Sequence, residues 1–91
     1  MTATPASRRL QLKRHVRYRF DRVREQHQLV FPEGLIVLNE TAAAIARCCD
    51  GRTVDELYAA LDEQFGDYDR GDVEAFLGEL ARKGFLHDED S

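Results

Sequence analysis

A chain of 91 residues, 43% of them hydrophobic and 33% charged, is sized for one domain with one modest core, and that mix excludes general disorder. Apolar runs such as Gly34–Leu38 fall far short of the roughly 20 residues that cross a bilayer, and no apolar stretch follows the first basic residues as in a secretory signal. The expectation is a soluble cytoplasmic domain with no membrane partner. The formal net charge of −4 hides a split: residues 1–24 hold eight Lys or Arg against the single acid Asp21, a net of +7, and the remainder carries −11. A basic segment on an acidic body fits a polyanionic partner, an acidic protein surface, or self-complementarity.

Residues 1–13 lack a sustained period and read as a flexible basic arm, with a folded domain over 14–87 and an acidic tail over 88–91. Val16, Tyr18 and Phe20 then alternate with Arg17, Arg19 and Asp21, the period-2 pattern of a strand with one apolar and one charged face. A polar connection leads to a second strand over His27–Phe31. Pro32-Glu33-Gly34 is a turn signal, and Leu35–Leu38 is a short third strand, giving an antiparallel meander.

After Asn39, a good N-cap, the pattern becomes helical, and Gly51 sits where a glycine would end the first helix. Thr53 and Glu56 match a capping box for a second helix, which carries Val54, Leu57, Tyr58, Leu61 and Phe65 and stops at Gly66. Asp69 caps a third helix, whose apolar stripe is Val73, Phe76, Leu77 and Leu80 and which ends at Gly84. Phe85 and Leu86 are expected to fold back on that helix end. The fold class predicted is α+β: a three-stranded antiparallel sheet followed by three helices, similar in layout to a winged helix with its strands moved to the front.

The sequence offers little catalytic chemistry. His15, His27 and His87 are scattered without metal-ligand spacing, no glycine-rich loop joins a strand to a helix, and the carboxylates cluster at helix starts, where they offset the macrodipole. Adjacent Cys48 and Cys49 have no second pair for a metal site and read as reduced, apolar helix residues. The expectation is a non-enzyme without metal or cofactor. A winged-helix layout with a basic arm raises DNA binding. However, the third helix, from Asp69 to Lys83, sets four acids against three cations, which is the wrong sign for a groove-reading helix. Peptide capture is the other reading. If Leu35–Leu38 is a sheet edge, its unpaired backbone invites an added strand, with Leu35 and Val37 on one face and Ile36 and Leu38 on the other.

Three segments carry a family likeness: His15–Asp21, Leu38–Ile45 with its Leu-Asn-x-Thr-Ala-Ala element, and Cys49–Val54 with Asp-Gly-x-Thr-Val. With Asp72–Leu80 and Gly84–Leu86, they make residues 14–86 resemble the pyrroloquinoline quinone (PQQ) biosynthesis protein D family, PqqD. That resemblance implies a peptide chaperone, the prototype of recognition elements for ribosomally made, modified peptides (RiPPs). Such a protein binds the precursor peptide PqqA and presents it to the radical SAM enzyme PqqE. It also implies strand addition beside the third strand, at Leu35, Ile36, Val37 and Leu38, in a groove walled by the third helix through Asp72, Ala75, Phe76, Glu79, Arg82 and Lys83. Arg17 and Arg19, on the charged strand face, are candidates for docking a partner. An apolar edge also allows a homodimer by edge pairing or strand exchange. The alternative is a small winged-helix domain that binds DNA or serves as a protein adaptor.

Overall fold

The structure, a computed structural model, describes residues 9–89, with side chains over 9–87. In chain order the elements are β1 (Arg9–Leu12), β2 (Arg17–Asp21), β3 (Gln26–Phe31), β4 (Gly34–Leu38), α1 (Glu40–Cys48), β5 (Asp50–Thr53), α2 (Val54–Phe65), α3 (Arg70–Arg82) and β6 (Leu86–Glu89). The class is α+β, as expected, but the order is not three strands followed by three helices. A second three-stranded antiparallel sheet, β5-β1-β6, is threaded through the helical half. This interleaving departs from the expected winged-helix-like layout.

The meander forms as the alternation predicts, in the order β2-β3-β4 and antiparallel throughout. Cross-strand pairing puts Tyr18, Leu29 and Ile36 on one face, together with His27 and Leu38, and α1 packs against that face. The other face carries Arg17, Val30 and Leu35, then Arg19, Gln28 and Val37. Leu29 is fully buried and Leu38 nearly so, whereas Leu35 and Val37 remain half-exposed.

Asp21 lies on the predicted charged face, yet it is buried, because the β2–β3 turn closes over it. Its Oδ1 accepts hydrogen bonds from the Val23 N–H at 3.0 Å and the Arg24 N–H at 3.2 Å. Its Oδ2 faces the Arg24 guanidinium and the Gln28 amide, each at 3.4 Å. The Arg24 backbone donor, more than any other group, holds this carboxyl below its ordinary 3.8. A depressed folded value means that the ionised carboxylate supports the turn above pH 3.8, and that this support disappears as pH falls through the lower folded value. In an NMR titration, the Val23 and Arg24 amides should therefore move together with a midpoint below 3.8. A midpoint at or above that value would mean that they do not report on Asp21.

The helix signals act locally and land where they were read. The Asn39 side chain accepts from the Ala42 N–H at 2.8 Å, and Thr53 and Glu56 form a complete capping box. Asp69 accepts from the Gly71 N–H at 2.7 Å, and Gly66 ends α2 at φ 75°. Gly51 does not end α1. Cys49 caps that helix, and Gly51 sits inside β5 at φ 103°, a backbone shape that favours glycine. Cys48 and Cys49 form no disulfide; the Cys49 thiol donates to the Ile45 carbonyl at 3.3 Å, and burial pushes the Cys48 thiol up.

The second sheet revises the two chain ends. Residues 1–8 of the expected arm and 90–91 of the expected tail lie outside the described residues. Arg9–Leu12, placed in the arm, instead form the central strand of the second sheet, with β5 on one side and β6 on the other. Leu10 is fully buried in the core, which stands for more burial than an arm can give. Leu86–Glu89 form the partner strand, overlapping the expected tail. Phe85 and Leu86 do fold back: the Phe85 N–H donates to the Leu80 carbonyl at 2.9 Å, and the Phe85 ring lies 4.6 Å from that of Phe31. This contact ties the two sheets into one core around Leu10, Leu29, Ile45, Leu57, Leu61, Leu77 and Leu80.

Candidate functional site

β4 is an outer strand of the meander, so one side of its backbone lacks a sheet partner among the described residues. The two-residue loop Pro32-Glu33 makes Phe31 and Gly34 the closing pair. Such a closing pair is hydrogen-bonded, and bonded and non-bonded pairs then alternate along an antiparallel ladder. Ile36 and Leu38 therefore point their N–H and C=O groups inward to β3, and Leu35 and Val37 point theirs to the open edge. The same two residues keep 50% and 55% of their surface exposed. Backbone and side chain are thus both available at Leu35 and Val37. Ile36 and Leu38, also singled out in the sequence, differ: Ile36 packs against the core and Leu38 is buried within it, so their side chains anchor the strand rather than face a ligand.

Just past the end of β4 the surface is concave. A cavity of about 380 Å³ is lined by Asn39, Thr41, Ala42 and Ile45 from the start of α1, by Asp67, Tyr68 and Asp69 from the α2–α3 loop, and by Asp72 and Phe76 from α3. Ala42, Ile45 and Phe76 supply apolar surface, and Asp67, Asp69 and Asp72 bring carboxylates. The aromatic wall is held in place. The Tyr68 hydroxyl donates to the Tyr58 carbonyl at 3.2 Å, and the two rings stack 6.2 Å apart. The Arg70 guanidinium lies 4.2 Å from the Tyr58 ring centroid, a cation–π contact. The Tyr58 hydroxyl donates to Glu74 at 2.9 Å; burial and then that carboxylate push its pKa up to about 12, so it stays a donor.

Of the wall residues implied by the family resemblance, the structure brings Asp72 and Phe76 to this cavity. Ala75, Glu79, Arg82 and Lys83 are exposed on α3 but do not line it. Glu79 also pairs with Arg82 and reaches Lys83 at 4.0 Å, so the two cations at the end of α3 are partly neutralised. Arg17 and Arg19 are exposed on β2, at the edge of the meander opposite β4. The sequence reading missed Asn39, Thr41, Ala42, Ile45, Asp67, Tyr68 and Asp69 as lining residues. The N-cap at Asn39 was legible, but not that α1 begins beside α3; Tyr68, an aromatic in a short interhelical loop, was the available signal.

Among the described residues, no three His, Cys, Asp or Glu side chains are grouped to hold a metal ion, and no helix is long and apolar enough to cross a membrane. What the arrangement offers is an exposed strand edge leading into an apolar, acid-bearing recess, the layout by which a domain takes up an extended chain. The class is therefore an α+β domain with an exposed sheet edge beside a recess. The chain belongs to the PqqD family, described as Coenzyme PQQ synthesis protein D, whose model matches residues 26–86. It is 41% identical over 76 residues to a protein of Azotobacter vinelandii named PqqA binding protein, covering 80% of this chain and 82% of that one. A protein of the same name from Pseudomonas fluorescens strain SBW25 is 44% identical over 69 residues, 72% of this chain and 75% of that one. In three dimensions the chain is similar to the solution structure of the PqqD truncation of Methylobacterium extorquens PqqCD. The TM-score is 0.66 at 34% identity, covering 94% and 95% of the two chains. That protein is described as a functional, stand-alone RiPP recognition element.

Proposed function

We propose that this chain is a peptide chaperone of PQQ biosynthesis that captures the precursor peptide PqqA on the open edge of β4 and presents it to the radical SAM enzyme PqqE. The observation that carries this reading is the pair Leu35 and Val37, half-exposed on an outer strand, in a chain whose relatives are named for binding PqqA. An added strand bonds to the Leu35 and Val37 backbone, and its side chains reach the recess at Asp72 and Phe76. Ala75, Glu79, Arg82 and Lys83 extend that wall along α3.

The work done is binding and positioning rather than catalysis. Strand addition orders a flexible precursor and holds it near the enzyme, which raises its effective concentration there. Ordering costs free energy, which keeps affinity between roughly micromolar and nanomolar.

Calorimetric titration with a synthetic PqqA peptide tests this. Saturable one-to-one binding to a monomeric sample, lost when Leu35 and Val37 are both changed to Asp, is the expected result. Absence of binding to a monomeric sample would overturn the reading. A dimeric sample that fails to bind would mean that a second copy occupies the edge.

A further inference from the structure

Four large apolar side chains stay exposed among the described residues, and all four lie on the meander: Phe20, Val23, Leu35 and Val37. Leu35 and Val37 belong to the β4 edge. Phe20 and Val23 lie at the other edge, at the β2–β3 turn, and that site makes no use of them. Val23 is 92% exposed, yet it is not on a loose loop. The buried carboxylate of Asp21 accepts from its N–H and from the N–H of Arg24, and Glu25 closes the turn at φ 54°, unusual for a residue with a side chain. The Phe20 ring sits edge-on against His27, 5.1 Å between centroids, and the Tyr18 hydroxyl bonds the His27 Nδ1 at 2.7 Å. The tip is therefore pre-ordered, with an apolar residue presented to solvent.

Charge collects at the same place. Arg19, Arg22 and Arg24 stand against Asp21 and Glu25 over residues 19–25, a net of +1 on a chain of net −4, whereas Arg17 lies at the far end of β2, level with Val30 and Leu35. Arg24 is held by Asp21; Arg19 and Arg22 are exposed and form no ion pair among the described residues. A rigid apolar point with the exposed Arg22 beside it and Arg19 on the adjoining sheet face is complementary to an acidic surface with an apolar recess, and a pre-ordered contact loses little entropy on docking. Phosphate backbones offer no recess for Val23 and Phe20, and the acidic remainder of the chain repels them.

We infer that the β2–β3 turn is a docking knuckle for an acidic surface on a partner protein, distinct from the β4 edge. Antiparallel pairing puts this turn at the same end of the sheet as Leu38 and Asn39, two strand spacings (about 10 Å) across from β4. A partner held there sits beside the cavity while the β4 edge stays open, so both contacts are made together. Taking that partner to be the peptide-modifying enzyme rests on the reading given under Proposed function.

The test uses the full chain, purified PqqE and a PqqA peptide, with the double variant Val23→Glu and Arg22→Glu. Both positions are solvent-facing, so the variant should melt like the parent. Calorimetry should show PqqA binding within about twofold of the parent and PqqE binding weakened by about tenfold or more. PqqE binding by the parent should also weaken as salt rises from about 0.05 to about 0.3 M. PqqE binding unchanged in the variant, absent in the parent, or lost only together with PqqA binding would overturn the knuckle. So would tight binding of a DNA duplex that the same substitutions abolish. A parent that binds PqqE through the knuckle but not PqqA would overturn the chaperone reading alone.

Discussion

Changing Val37 to proline should weaken PqqA binding by about tenfold or more while the domain still folds. The expectation follows from the ladder. Pairing from the Phe31–Gly34 closure leaves the Val37 N–H facing the open edge, so proline removes a donor that only an added strand would use. Proline is tolerated on edge strands, and a half-exposed side chain leaves room for its ring. Ile36→Pro is the informative contrast. Its N–H faces Leu29 across the ladder, so that substitution should lower the melting temperature instead. Calorimetry and thermal melts of both variants separate the cases. Parental affinity in a folded Val37→Pro protein would remove β4 as the binding edge.

Leu10→Ala should destabilise the domain by about 2–5 kcal/mol, the range for truncating a fully buried leucine. In a domain of this size that lowers the melting temperature by about 10 °C or more. Leu10 lies in the centre of the second sheet, and its neighbours extend the tie: the Leu12 N–H donates to the Cys49 carbonyl at 3.0 Å and the Lys13 N–H to the Phe85 carbonyl at 2.9 Å. Denaturant unfolding measures the loss. A change under about 0.5 kcal/mol would return residues 9–12 to the status of a loose arm.

The meander, the three helices and their starts were legible because each signal acts within a few residues. Alternation from Val16 to Asp21 defines a strand face. A side-chain oxygen at Asn39, Thr53 or Asp69 meets an N–H two or three positions on. The split of β4 into Leu35 and Val37 against Ile36 and Leu38 follows from strand geometry alone, so the open face of the candidate site was legible as well.

Sequence by itself thus determined the strand and helix propensities, the caps, the faces of β4 and, through motif likeness, the family. Tertiary structure decided the second sheet. β1, β5 and β6 are four residues each, β5 reads Asp-Gly-Arg-Thr, and no local period marks such strands. Their hydrogen-bond partners lie about 40 to 80 positions away, at Thr53 and Glu89 for Arg9, so only the closed fold satisfies them. It likewise decided that Asp21 would be buried, that α1 and α3 would share a cavity, and that Ala75, Glu79, Arg82 and Lys83 would lie beyond it. Burial and concavity depend on which surfaces meet, and a local pattern carries the shape of one surface only.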